Sequence, residues 1–310
     1  MNQISALILW LAAAGFSSAQ WVKPPSAEAV KATPGLKHFV FESQVMKTEV
    51  GYNVVFPPSY ESAPDKRYPV VYWLHGGGGN ESSSLFTAQA WLGLYANQEI
   101  DEVILVYPAG FRSGYMDHEE GNVQVESMII RELIPRIDKT LRTIASREGR
   151  AVHGFSMGAS GSLKFVIKYP DLFCAAAAGG GGAIDLENTT DEWILNILDR
   201  NLGSNPKLVQ HNTYHFLEKN HEQLLALGTR FLLLCGDADK WMESAVTFQS
   251  ALEEKKIPCE LVPVPGIAHS LRKVFEAEGA RSARFQNEVF REAKARSSSA
   301  PKPDPDRTSN

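Results

Sequence analysis

The sequence predicts an α/β architecture, a mostly parallel central sheet flanked by helices on both faces. Three observations predict it. Short runs rich in Val, Ile, Leu, Ala and aromatic residues recur along the chain, as strands buried on both faces require. The segments between them are long enough for crossover helices and carry apolar residues at helical spacing. The chain has 310 residues, 44% of them hydrophobic and 22% charged, enough to close one core of catalytic-domain size.

Taken in order, "MNQISALILWLAAAGFSSAQ" holds an apolar stretch from Ile4 to Phe16 followed by the small residues Ser17, Ser18 and Ala19. This pattern reads as an export signal over 1–19, cleaved after Ala19, although the segment before it has no Lys or Arg. The run is too short to cross a hydrocarbon core of roughly 30 Å as a helix. A secreted or periplasmic protein with no integral membrane association after cleavage is therefore expected. Residues 20–36 form a Pro-containing lead, and a catalytic-size domain is expected over 37–296.

That domain opens with "KHFVFESQVM" and "EVGYNVVFP", which alternate as two antiparallel strands at a sheet edge do. Then come "YPVVYWLH", "DEVILVYP", "GRAVH", "FCAAAAGG", "RFLLLCG" and "CELVPVP", six short runs for the parallel part. "EGNVQVESMIIRELIPRIDKTLRTI" has helical spacing, with a bend or break expected at Pro135. "WMESAVTFQSALEEKK" and "SLRKVFEAEGARSARFQNEVFREAKA" read as further helices, the last one closing the fold. Residues 183–227, between the sixth and seventh strands, are longer than a plain connection needs and are expected to be an insertion that caps a pocket. The polar, Pro-rich tail 297–310 is expected to be disordered.

Composition narrows the function classes. A net charge of -5 without any block of Lys or Arg argues against a nucleic-acid footprint or a polybasic membrane patch. Cys174, Cys235 and Cys259 are odd in number and sit in or beside strand-like runs, so buried free thiols are expected rather than a disulfide framework.

The chemistry is carried by "AVHGFSMGASG", residues 151–161. A strand precedes Ser156 and a helix-like run follows it, the strand-turn-helix setting of a nucleophile elbow. Gly154 and Gly158 remove side chains that would collide with the neighbouring strand and helix. The hydroxyl then stands at a helix N-terminus, where developing negative charge is favoured. A serine hydroxyl needs a base, and His269 in "PVPGIAHSLRKVF" follows the last strand, where such a base belongs. The acid that orients it comes from "RFLLLCGDADKW", with Asp239 favoured over Asp237 for its reach. The order Ser156, Asp239, His269 is that of the α/β-hydrolases. "YWLHGGGGNES" offers backbone N–H groups for an oxyanion, with Met157 as one donor and Gly77 or Gly78 as the other. Trp241 and Trp193 could each wall a substrate pocket, although core packing is the commoner fate of such residues.

From about His38 to Phe290 the chain resembles the esterase D-like group of α/β-hydrolases, which includes feruloyl and acetyl-xylan esterases, S-formylglutathione hydrolases, siderophore esterases and mycolyl transferases. The resemblance rests on the glycine loop, on Glu132 to Phe173 and on "CGDADKW…PVPGIAHS". It implies Ser156 as nucleophile, Asp239 as acid, His269 as base, and Met157 with Gly77 as oxyanion hole. It also implies a carboxylesterase that works through an acyl-serine without metal or organic cofactor. The substrate expected is a small-molecule or polysaccharide-linked ester, feruloyl or acetyl esters of plant polysaccharide among them.

Rival readings are a siderophore-type esterase or acyltransferase of the same fold, a peptidase, and a non-catalytic glycan- or partner-binding protein on a hydrolase scaffold. A metal-dependent hydrolase is disfavoured. "HNTYH", with His211 and His215, lacks the glutamate of the H-E-x-x-H motif, and the acidic "MDHEEGN" (Asp117 to Glu120) reads as a solvated loop.

Overall fold

The computed structural model describes residues 20–118, 123–190, 192–202 and 208–299. The expected signal segment 1–19 lies outside them, as does 300–310 of the expected tail. Eight strands form one sheet: β1 (Leu36–Ser43), β2 (Thr48–Val55), β3 (Val70–Leu74), β4 (Ile104–Pro108), β5 (Arg150–Phe155), β6 (Ala175–Gly179), β7 (Arg230–Gly236) and β8 (Cys259–Val264). Their spatial order is β1-β2-β4-β3-β5-β6-β7-β8. Only β2 runs against its neighbours, pairing antiparallel with both β1 and β4, and every pair from β4 to β8 is parallel. The chain is an α/β protein with the expected antiparallel edge.

The helices are α1 (Ala27–Ala32), α2 (Ala88–Ala96), α3 (Val125–Ser127), α4 (Ile134–Thr140), α5 (Met157–Lys168), α6 (Glu192–Leu202), α7 (Thr213–Ala226), α8 (Met242–Glu254) and α9 (Leu271–Ser299). Successive strand residues point to opposite faces, and the packing follows that period of two. Tyr72, Leu74, Val106, Val152, Ala176 and Leu233 pack on one face against α4, α5, α7 and α8. Val71, Trp73, Leu105, Ala151, Ala177 and Leu232 pack on the other against α2 and α9. Strands covered on both sides need no polar alternation, which is why they read as unbroken apolar runs.

Pro135 does not end its helix. A π-helical segment, Met128–Leu133, joins α3 to α4 just ahead of it. Proline lacks an N–H and its ring crowds the carbonyl four residues back, and a π turn is a local adjustment of the kind that accommodates such a break in the ladder.

The insertion divides in two. Leu217 and Leu224 of α7 are buried in the helical layer, beside the α5 residues Leu163, Val166 and Ile167, so α7 is part of the core. The stretch before it, with α6, forms a separate small cluster of Ile194 and Leu198 with Met116, against which Ile184, Leu186 and Trp241 pack.

The N-terminal lead is anchored. Trp21 is 1% exposed and its carbonyl accepts a hydrogen bond from Gly51 N–H at 2.7 Å. Burying one such side chain contributes roughly 2–3 kcal/mol, enough to hold a short segment in place. At the other end α9 continues through Ser299, three residues into the tail expected from composition.

The three cysteines are free. Cys174 and Cys235 are buried, whereas Cys259 is only half-buried because it starts the edge strand β8, a correction to the expectation of three buried thiols. Cys235 pairs across to Pro263 and Cys259 to Phe231, so the two lie at opposite ends of the β7–β8 ladder.

Candidate active site

Every residue singled out around Ser156 lies at the end of the parallel strands where their C-termini emerge. Ser156 ends the turn from β5 into α5 with φ 58° and ψ -116°. That conformation costs a non-glycine residue on the order of 1–3 kcal/mol and persists only where its surroundings hold it. Here Ser156 N–H donates to Gly179 O at 2.8 Å, and Ser160 N–H donates to Ser156 O at 3.2 Å. The flanking glycines are sterically required. A Cβ on Gly154 would strike the Gly158 carbonyl, and one on Gly158 would strike the carbonyl of Leu74 on β3.

The structure brings Ser156, His269 and Asp239 together in one hydrogen-bonded line. His269 Nε2 lies 2.9 Å from Ser156 Oγ and its Nδ1 lies 2.7 Å from Asp239 Oδ2. The Asp239 carboxylate is fully buried and the imidazole about one-third exposed. The second carboxylate oxygen of Asp239 accepts from Trp241 N–H at 3.0 Å, so both oxygens are held. Phe155 packs against the imidazole with ring centroids 5.0 Å apart, and Gly180 leaves the room that the ring occupies. Asp237 is elsewhere. It is exposed and accepts from Gly266 N–H at 2.7 Å, a loop-bracing role.

Gly77 sits beside Met157: a Cβ built on it would lie 3.8 Å from Met157 Cβ. Met157 is the first residue of α5, where backbone N–H groups have no partner within the helix. The glycine loop is braced by His75, which the sequence marks only as a strand-end histidine. Its Nε2 accepts from Gly110 N–H at 3.0 Å, which places its proton on Nδ1, and Nδ1 donates to Gly76 O at 2.8 Å. Burial brings His75 down to about 4, so the ring stays neutral and keeps that tautomer.

A pocket opens beside Ser156 with a cavity of about 120 Å³. Met116, Ile184, Leu186, Ile194, Leu198 and Trp241 give it apolar walls. Trp241 therefore faces the pocket. Trp193 lies on α6, but its side chain is outside the described residues. No sequence signal pointed to Lys164, and His211 stood out only as part of "HNTYH". Both line this pocket, and His211 is 4% exposed. His215 is exposed on α7, so the two histidines of "HNTYH" part company. Asp117 accepts from Ser127 N–H and Oγ at 2.9 and 2.6 Å, while Glu119 and Glu120 are outside the described residues. Among the described residues no group of three or more His, Cys, Asp or Glu could hold a metal ion.

Residues 43–184 match a family model described as putative esterase, and residues 139–293, half of the chain, match the prolyl oligopeptidase family. The chain belongs to the prolyl oligopeptidase family, whose model spans half of it, and its first half is similar to the esterase family. The two matches overlap on 139–184, the stretch that holds β5, the elbow and α5.

Among curated proteins the chain is similar to Esterase Rv1288 of Mycobacterium tuberculosis, 33% identical over 154 residues that cover 48% of this chain and 33% of that one. It is also similar to an endo-1,4-beta-xylanase/feruloyl esterase of Xylanibacter ruminicola, 32% identical over 148 residues, covering 45% of this chain and 20% of that one. The chain thus spans a third or less of the length of these relatives. Among solved structures it superposes on a ferulic acid esterase with a TM-score of 0.69 at 24% identity, covering 82% of this chain and 98% of the other. An S-formylglutathione hydrolase of Agrobacterium tumefaciens superposes with a TM-score of 0.68 at 19% identity, covering 82% and 95%. These superpositions establish the α/β-hydrolase fold. No described helix is long and apolar enough to cross a membrane.

Proposed function

We propose that this esterase is an exported serine carboxylesterase that cleaves esters through an acyl-serine intermediate, with feruloyl or acetyl esters of plant polysaccharide as its substrates. The observation that carries the reading is the unbroken line from Ser156 Oγ through His269 to the buried Asp239, at 2.9 and 2.7 Å. In this reading His269 Nε2 takes the hydroxyl proton as Ser156 attacks the ester carbonyl, and then gives it to the departing alcohol. Asp239 holds the proton on Nδ1 and stabilises the imidazolium that forms. Water, deprotonated by His269, then releases the acid.

The oxyanion would be held by the N–H groups of Met157 and Gly77, a reading supported by the nearness of the two residues. A single such donor contributes about 3 kcal/mol to lowering the barrier. The apolar pocket beside Ser156 would take the acyl group, with Trp241 as one wall. The substrate class draws support from a curated relative that carries a feruloyl esterase in its name and from the superposed ferulic acid esterase. Export rests on the sequence of residues 1–19 alone.

Hydrolysis of p-nitrophenyl acetate and methyl ferulate by the purified protein and by Ser156→Ala tests the reading. The expected result is release of both acids by the wild type and a fall of at least about 10⁴-fold in the variant. Equal rates in two folded proteins would sink it. A rate on the corresponding anilides exceeding that on the esters would move the reading to a peptidase.

A further inference from the structure

The four glycines Gly76 to Gly79 do not fix their own path. A glycine has more backbone freedom to lose than any other residue, so a run of four keeps one shape only if its ends are held. The run lies against the nucleophile: a Cβ built on Gly76 would come within 3.7 Å of Ser156 Cβ. His75 holds its entry. Its exit is a turn in which Asn80 N–H donates to Ser83 Oγ and Ser82 N–H to Asn80 Oδ1, each at 2.9 Å. Within that turn Glu81 is 1% exposed.

Glu81 reaches the N-terminal lead. Its Oε1 accepts from Lys23 N–H, and Ser82 Oγ donates to Lys23 O at 2.6 Å. Both backbone groups of Lys23 are therefore held by residues at the exit of the glycine loop. Asn53 of β2 seats the pair, its amide donating to Glu81 O and to Ser82 Oγ, each at 3.0 Å. Two residues earlier, the buried Trp21 packs on Phe111 of the loop after β4, with ring centroids 5.5 Å apart. The lead thus spans the two loops that His75 ties from the other side.

A packing contact alone would not call for this arrangement. An interior carboxylate is unfavourable unless it is well paired. Burial raises the Glu81 carboxyl above its ordinary value, and its Oε2 has no hydrogen-bond partner among the described residues. Strand β2 also has to omit a side chain, because a Cβ on Gly51 would strike Glu81 Oε1. An apolar residue at position 81 would remove the buried charge, but it would have no acceptor for Lys23 N–H.

We propose that Glu81 is a positioning residue for catalysis: by tying the lead to the exit of the glycine loop, it holds the Gly77 N–H on the oxyanion. The proposal rests on the reading of Ser156 as nucleophile and Gly77 as oxyanion donor. A donor acts fully only when it is preorganised, since it then needs no rearrangement as charge develops. The ester carbonyl asks less of that N–H than the oxyanion does, so a loosened loop lowers kcat and hardly moves KM.

The test measures kcat and KM for p-nitrophenyl acetate, together with amide hydrogen exchange over residues 76–80 in the absence of substrate. Glu81→Ala removes the acceptor and is expected to lower kcat by roughly 10²-fold, with KM within a few-fold, and to speed exchange over 76–80. Glu81→Gln keeps an oxygen for Lys23 N–H and should restore most of the loss. Lys23→Pro takes away that N–H while leaving the Glu81 side chain in place, and should lower kcat and speed exchange in the same direction. If Glu81→Ala does not fold, Lys23→Pro against the wild type carries the readout. Unchanged exchange overturns the tie, and faster exchange with unchanged kcat overturns its role in catalysis. An equal loss in Glu81→Gln and Glu81→Ala also counts against it, because the amide keeps the hydrogen bond. Failure of the underlying reading looks different: the wild type would not turn over the ester, or Ser156→Ala would match it, while exchange still responded to Glu81.

Discussion

At the scale of single residues, the two aspartates of "GDAD" show how narrow the margin is between a candidate acid and a loop brace. Asp237 and Asp239 follow the same strand end, yet only Asp239 is buried beside His269, while Asp237 caps Gly266 N–H in solvent. Asp239→Asn is expected to lower kcat by about 10⁴-fold, because an amide at that position favours the wrong imidazole tautomer. Asp237→Asn keeps an acceptor for Gly266 and should leave kcat within a few-fold. Ester hydrolysis by the two variants, side by side, checks both statements, and a large loss in Asp237→Asn would reverse the assignment. The favoured reach of Asp239 was legible in the sequence from the two-residue loop that separates it from Gly236. Its burial was not, because burial depends on the loop after β8 folding back over it.

At the scale of elements, the glycine loop after β3 is tied to the loop after β4 by a histidine. His75 links Gly76 O to Gly110 N–H, and Tyr115 OH donates to His75 O at 3.1 Å, so the loops after β3 and β4 are tied at one point. His75→Ala should loosen the donor at Gly77 and lower kcat by roughly 10²-fold, the scale of losing one oxyanion donor. KM for p-nitrophenyl acetate should change much less. Steady-state kinetics on a variant shown to be folded by circular dichroism would decide this, and an unchanged kcat would release His75 from the role. The sequence marked the four glycines by their position after a strand, but nothing in it pairs His75 with a backbone group thirty-five residues away. The Pro135 helix teaches a related lesson. Local rules foresaw a disturbance there, and the π-helical segment that absorbs it depends on Met128, Ile129, Leu133 and Ile134 remaining in the core.

At the scale of the whole molecule, three buried neutral histidines and the buried carboxylate of Glu126 contribute to the response to acid. Burial holds His75 at about 4, and His153 and His211 at about 3. In the unfolded chain each titrates near 6.5. The unfolded state therefore binds more protons as pH falls below 6.5, and stability present above that pH is lost progressively down toward 3. Each histidine contributes a slope of up to about 1.4 kcal/mol per pH unit within its window. Glu126 acts lower down. Burial alone would raise its carboxyl, but Lys164 and Lys168 outweigh burial and bring it from 4.5 to about 2. Its contribution is thus present above 4.5 and lost as pH falls through 2. Urea midpoints should decline from pH 6.5 downward, and His153→Leu should flatten the upper part of that decline. A midpoint constant from pH 7 to pH 4.5 would contradict the account.

What the sequence by itself determined is local and periodic. Apolar runs specify strands covered on two faces, and Gly154 and Gly158 frame a turn that no larger residue can make. The order of serine, acid and histidine follows from which strand each one ends. Only the tertiary structure decided which aspartate is buried, which histidine braces the glycine loop, and that α7 belongs to the core while the stretch before it covers a pocket. The physical reason is the same in each case. Burial, a hydrogen bond from a distant backbone N–H, and a shared cavity wall are properties of surfaces that meet only when the strands have been ordered. His211 and Lys164, forty-seven residues apart in the chain, line one cavity for that reason alone.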